Sequence, residues 1–197
     1  GDKGATLWML GQYDGLIEKD AQGNPVYANG ADEPLFGKTV DQRLKTTFML
    51  PGAFYPEITQ TLDGVDQDLV FPFVDQDVNF ASIKKYVVGK AKDVGGKAAQ
   101  QNYDNDTYML RLAEVYLIYA EAELGNNSST TDATALDYFN AVHMRSGLPR
   151  FEDPLTFDVI FKERTIEFAM EAMTWYDLVN LHYYNPQKAY EILNKQD

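Results

Sequence analysis

Cysteine is absent from the 197 residues, which excludes a disulfide framework, a thiolate zinc site and a cysteine nucleophile. Histidine is nearly absent. His143 and His182 stand 39 positions apart, with neither a His-Glu-x-x-His nor a Glu-x-x-His motif, so zincin and di-iron bundle chemistry have no ligand set. Basic residues are scarce: 17 Lys and Arg against 30 Asp and Glu give a net charge of −13. The deficit is shared along the chain, which leaves no basic stripe for a phosphate backbone and excludes nucleic acid as a partner. No apolar run approaches the roughly 18 residues that span a bilayer. Gly-x-Ser-x-Gly and a complete phosphate-binding loop are missing too.

What is present is distributed unevenly. Twelve of the 14 glycines and five of the 8 prolines precede Tyr108. This predicts a loop-rich first part (residues 1–107) and a helical second part (residues 108–197). In the first part, residues 6–10 and 13–17 read as short strands. The turn-forming run at residues 19–25 suggests a hairpin in which Val26 and Tyr27 return against Leu16 and Ile17. From Gly30 to Gly64, glycine and proline recur too often to predict a long element, and residues 46–50 and 68–74 read as short strands or packed irregular segments.

In the second part, Met109, Leu112, Val115 and Tyr119 recur at helical spacing, predicting a helix over residues 108–124 that ends at Gly125. Asp132 caps a second helix with Ala135, Leu136, Phe139 and Val142 on its apolar face, stopping at Gly147. Thr156 or Asp158 starts a third that continues to about Leu181, and residues 189–193 form a short terminal helix. The fold class is therefore mainly α: a tetratricopeptide-like helical pair, a third helix packed behind it, and a short β-hairpin in the loop-rich part. One such pair cannot bury both of its faces.

Glu163, Glu167 and Glu171 share a helical face at i, i+4 and i+8, where like charges repel by a few tenths of a kcal/mol per pair. Arg111, Arg145 and Arg164, one from each helix, are the available counter-charges, predicting a structural ion-pair network. The alternative is a glycosidase acid and base pair. Carboxylates beside several arginines are held ionised, which favours the structural role. Asp63, Asp66 and Asp68, and then Asp75, Asp77 and Asn79, have the spacing hard cations favour. The second run, however, carries Phe80 and Tyr86 where a calcium loop has Gly and Glu, so no metal site is predicted. No cofactor is implied. Among the 26 aromatic residues (13 Tyr, 11 Phe and 2 Trp), Trp8, Tyr13 and Tyr27 lie in the Gly-rich hairpin region, where rings are available for stacking on sugars.

Several segments together resemble the SusD/RagB family of nutrient-binding lipoproteins. Residues 108–122 (YMLRLAEVYLIYAEA) are similar to its first conserved helix, residues 135–149 (ALDYFNAVHMRSGLP) to its second, and residues 163–178 (ERTIEFAMEAMTWYDL) to its third. Upstream, residues 40–44 (VDQRL) resemble its Asp-Pro-Arg turn and residues 84–86 (KKY) its Lys-Lys-Tyr. Gln42 stands for Pro, Ala172 for the usual Gly, and Thr174 and Asn180 for the usual arginines. The resemblance implies the C-terminal portion of a longer protein, a single SusD-like domain over residues 1–197. It also implies binding without catalysis: a lipid-anchored protein on the outer face of the outer membrane, holding oligosaccharide over a TonB-dependent transporter. Trp8, Tyr13 and Tyr27 are then the ligand-binding candidates. A module that docks on the transporter without touching ligand is the alternative, and a glycosidase the less favoured one.

Overall fold

In a computed structural model the chain is described over residues 4–27, 36–72, 81–95 and 106–195. The described elements run α1 (Leu7–Leu10), α2 (Arg43–Thr47), β1 (Phe48–Met49), β2 (Phe54–Leu62), β3 (Val65–Val70), β4 (Ser82–Ile83), α3 (Leu112–Leu124), α4 (Ala133–His143), α5 (Phe157–Glu167), α6 (Met173–Tyr184) and α7 (Pro186–Leu193). They fall into two compact units. One comprises residues 1–5, 27–33 and 45–107; the other comprises residues 6–26, 34–44 and 108–197. Residues 6–26 and 34–44, expected within a loop-rich half, thus belong with the helices.

The helical unit is built on the α3–α4 pair, the tetratricopeptide-like hairpin expected from the spacing. Ala113, Leu117, Ala120 and Leu124 of α3 pack against Ala135, Phe139 and Val142 of α4, with Leu155, Ile160 and Phe168 completing the cluster. Small residues on α3 allow the close approach, and three- and four-residue spacing puts them on one face. Asp132 caps α4 by accepting from the Ala135 N–H at 2.8 Å, and Thr156 caps α5 by accepting from that of Val159 at 3.3 Å. Buried Asn140 donates to the Leu136 and Phe151 carbonyls and accepts from the Phe151 N–H at 2.7 Å, pinning the connection after α4. At Gly147 the chain takes φ +86°, and a Cβ would lie 3.0 Å from Gln42 Nε2, so only glycine ends this segment without strain.

Four expectations are corrected here. Residues 7–10 form a helical turn rather than a strand, because Thr6 Oγ1 accepts from the Met9 N–H at 3.2 Å and caps it. The first long helix starts at Leu112, not Tyr108: the Arg111 backbone is extended and its guanidinium is held elsewhere. The third helix stops at Glu167 and does not run to Leu181. Met170 and Ala172 adopt φ +65° and +64°, which breaks it from α6. The terminal helix starts earlier than residue 189, with Asn185 as its cap and Pro186 in its first turn.

The hairpin at residues 19–25 forms with a different register. Lys19 pairs with Pro25, Val26 N–H donates to the Glu18 carbonyl at 2.9 Å, and Ile17 pairs with Phe36 instead of Val26 or Tyr27. In the other unit, β2 and β3 pair antiparallel from Phe54↔Val70 to Leu62↔Val65. The Asp63-Gly64 turn, with φ +51° and +77°, joins them. This nine-residue strand lies where no long element was expected. It accommodates Pro56 because the ladder is interrupted between Tyr55 and Thr59, where a missing N–H loses no bond. Met49, Tyr55, Ile58, Leu69 and Phe71 form the core of this unit.

Candidate functional site

The helical unit assembles a buried charged network around the end of α5. Glu163 and Glu167, one turn apart, are 4% and 5% exposed. Arg43 Nη1 donates to Glu163 Oε1 at 2.5 Å and to Glu167 Oε2 at 3.2 Å, while Nη2 reaches Asp41 Oδ2 at 2.7 Å. Arg111 donates to Glu167 Oε1 at 2.5 Å and grips both oxygens of Glu171 at 2.9 Å. Exposed Arg145 completes a third pairing to Glu167. His143 Nδ1 lies 2.8 Å from Glu163 Oε2. Three guanidiniums thus converge on one carboxylate.

Burial pushes the Glu163 carboxyl up, but the His143 hydrogen bond and the Arg43 charge outweigh it and hold the group below its ordinary value. Such a carboxylate stays ionised and is not suited to donate a proton to a leaving group. The four carboxylates of Asp41, Glu163, Glu167 and Glu171 face three arginines, with the His143 ring beside Glu163. Among the described residues, no group of three His, Asp or Glu side chains is arranged to hold a metal ion. Asp63, Asp66 and Asp68 lie on the β2–β3 hairpin, and Asp75, Asp77 and Asn79 lie outside the described residues.

Two features of this network differ from the sequence expectation. Arg164 does not join it: its Nε and Nη2 bind both oxygens of Asp177, at 3.0 and 2.7 Å, and so lock α5 to α6. Its guanidinium and that of Arg111 lie 5.3 and 4.5 Å from the Phe168 ring centre. Glu171 lies beyond the end of α5, so the three glutamates do not share one continuous helix. Arg43 was missed as a member. Its signal was the Asp41-Gln-Arg43 turn, but nothing in spacing connects that turn to a helix 120 residues later.

The three aromatic candidates are not equivalent. Tyr13 is 1% exposed and presents no ring face to solvent. Trp8, on α1, is half-buried and packs against Leu178, Leu181, Ala189 and Ile192 of α6 and α7. Tyr27 is 43% exposed and belongs to the other unit. No helix among the described residues is long and apolar enough to cross a membrane.

Comparison with known proteins extends these observations. A crystal structure determined with a xylogluco-oligosaccharide matches at a TM-score of 0.73 and 32% identity, covering 98% of this chain and 33% of that one. Surface glycan-binding protein A from Bacteroides uniformis shares the fold at a TM-score of 0.51 and 24% identity, over 87% of this chain and 35% of its own. A SusD-like protein of Bacteroides ovatus is 45% identical over 115 residues, which are 58% of this chain and 21% of that protein. The chain therefore spans a fifth to a third of the length of these relatives. With the conserved helices folded as a tetratricopeptide-like unit and the SusD family profile matching residues 1–191, the chain belongs to the SusD family.

Proposed function

We propose that this chain is part of a non-catalytic glycan-binding protein of an outer-membrane uptake system. The observation that carries the reading is the match, over 98% of the chain at 32% identity, to a structure determined with a xylogluco-oligosaccharide. In this reading the full-length protein is a surface-exposed lipoprotein of the outer membrane. It captures oligosaccharide and passes it to a TonB-dependent transporter. Tyr27, which is exposed, and half-buried Trp8 are the proposed stacking residues, each within its own unit.

Isothermal titration of the full-length protein against a panel of plant and host oligosaccharides, xyloglucan fragments included, tests this. Binding of at least one is expected, with a tenfold or greater loss in Tyr27→Ala, on the order of the 1–3 kcal/mol that ring stacking supplies. No binding across the panel overturns the reading. Copurification of a transporter barrel, undisturbed by Tyr27→Ala and Trp8→Ala and without glycan binding, would instead assign a pure docking role. Turnover of any oligosaccharide would count against both.

A further inference from the structure

The chain leaves the helical unit after Leu44 and returns to it at Tyr108, while residues 45–107 belong to the other unit. Just inside each end of this excursion stands an arginine, Arg43 at the departure and Arg111 at the return. At the departing end, the Gln42 N–H donates to the Ser146 carbonyl at 2.9 Å, and the Arg43 and Leu44 N–H groups fold back on Asp41 at 3.0 and 3.3 Å. At the returning end, residues 106–110 are all exposed, and Arg111 is the first side chain with cover. It holds the N-cap position of α3 on an extended backbone yet makes no capping bond. Its guanidinium, like that of Arg43, is directed to the end of α5.

The three glutamates divide these two ends between them. Glu163 accepts from Arg43 at 2.5 Å, and Glu171 accepts from Arg111 at 2.9 Å. Glu167 takes both: its Oε2 meets Arg43 Nη1 at 3.2 Å and its Oε1 meets Arg111 Nη1 at 2.5 Å. Its backbone carbonyl accepts from Arg111 Nη2 at 2.8 Å as well. The two oxygens of one carboxylate can bind two guanidiniums in different directions. Loop-closure entropy rises only slowly with length, so a compact contact at the feet can hold a long excursion closed. We propose that Glu167 is a two-sided clip: through Arg43 and Arg111 it ties the departing and returning ends of residues 45–107 to one point on α5, so that the two ends loosen together as a local unit. An ordinary ion-pair cluster would let each end loosen with its own partners. The inference is independent of glycan binding.

Hydrogen–deuterium exchange of the full-length protein, read by mass spectrometry on peptides spanning residues 41–46 and 111–116, tests this. Glu163→Gln is expected to speed exchange on the order of tenfold at the departing end and to leave the returning end unchanged, and Glu171→Gln to do the reverse. Glu167→Gln is expected to speed both ends together by a similar factor. In all three variants the amide of buried Leu155, bonded to the Thr130 carbonyl at 2.9 Å, is expected to stay slower than either end, because the opening is local. Glu167→Asp keeps the charge and shortens the reach; it is read, with the same joint response expected, should Glu167→Gln fail to fold. A response at one end alone in the Glu167 variant overturns the proposal. Equal responses at both ends in the Glu163 and Glu171 variants overturn it too, as do ends that exchange no faster than Leu155 and so open only with the whole unit. Loss of glycan binding with the joint response intact touches only the functional reading.

Discussion

Glu167 is where a single side chain has the largest predicted effect on stability. Its carboxylate accepts from Arg43 and Arg111 in a buried setting, and from exposed Arg145. Removing the charge while keeping the shape weakens the pairing of two half-buried guanidiniums with a buried carboxylate. Glu167→Gln is therefore predicted to lose about 3–5 kcal/mol, the range for breaking a buried pair, read by urea denaturation. A loss under 1 kcal/mol would show that the network is solvated. Glu163 predicts a pH dependence. Its folded pKa lies below the ordinary 4.5, so its contribution is fully present above that value and is lost as pH falls through the lower folded value. The stability gap between the wild type and Glu163→Gln should be constant from pH 7 to 5 and narrow below about pH 4.5. A gap that widens in acid would contradict the pairing with His143 and Arg43. The arginine-rich surroundings of these glutamates were legible from helical spacing. The particular partners were not: Arg43 arrives from a distant turn, and Arg164 meets Asp177 only because the helix breaks between α5 and α6.

Between α5 and α6 the sequence carries neither glycine nor proline, and the break is made by residues 168–172 under tertiary constraint. Ala172 sits at φ +64°, the position at which the family resemblance places glycine. An L-residue there costs about 1–2 kcal/mol of backbone strain, partly offset by the greater unfolded-state freedom of glycine. Ala172→Gly is predicted to raise stability by about 0.5–1 kcal/mol, seen as a higher urea midpoint at unchanged slope; a drop would mean that the methyl group packs usefully. The caps at Asp132 and Thr156 and the stripes of α3 and α4 could be read directly, since capping and amphipathicity are local and periodic. The β2–β3 hairpin carried a legible Asp-Gly turn flanked by strand-forming residues. Pro56 and Pro51 obscured it, because proline removes a donor, and only the pairing register shows that Pro56 sits where the ladder is already interrupted.

At the scale of the whole chain, a net charge of −13 shapes the kind of ligand it can hold. A neutral oligosaccharide recognised by aromatic faces offers no charge for salt to screen. If the full-length protein binds a neutral glycan as proposed, its affinity should change by less than about twofold between 50 and 500 mM NaCl. A steep salt dependence would point to a charged ligand, against the reading proposed here. Composition, cap chemistry and helical period were enough to determine a mainly α chain without cysteine and its tetratricopeptide-like pair. These properties are local or additive along the chain. Tertiary structure alone decided that Tyr13 is core, that Trp8 packs on α6 and α7, and that Arg43 joins the glutamates of α5. Each depends on which distant segments meet, and a one-dimensional pattern carries no information about distance across the fold.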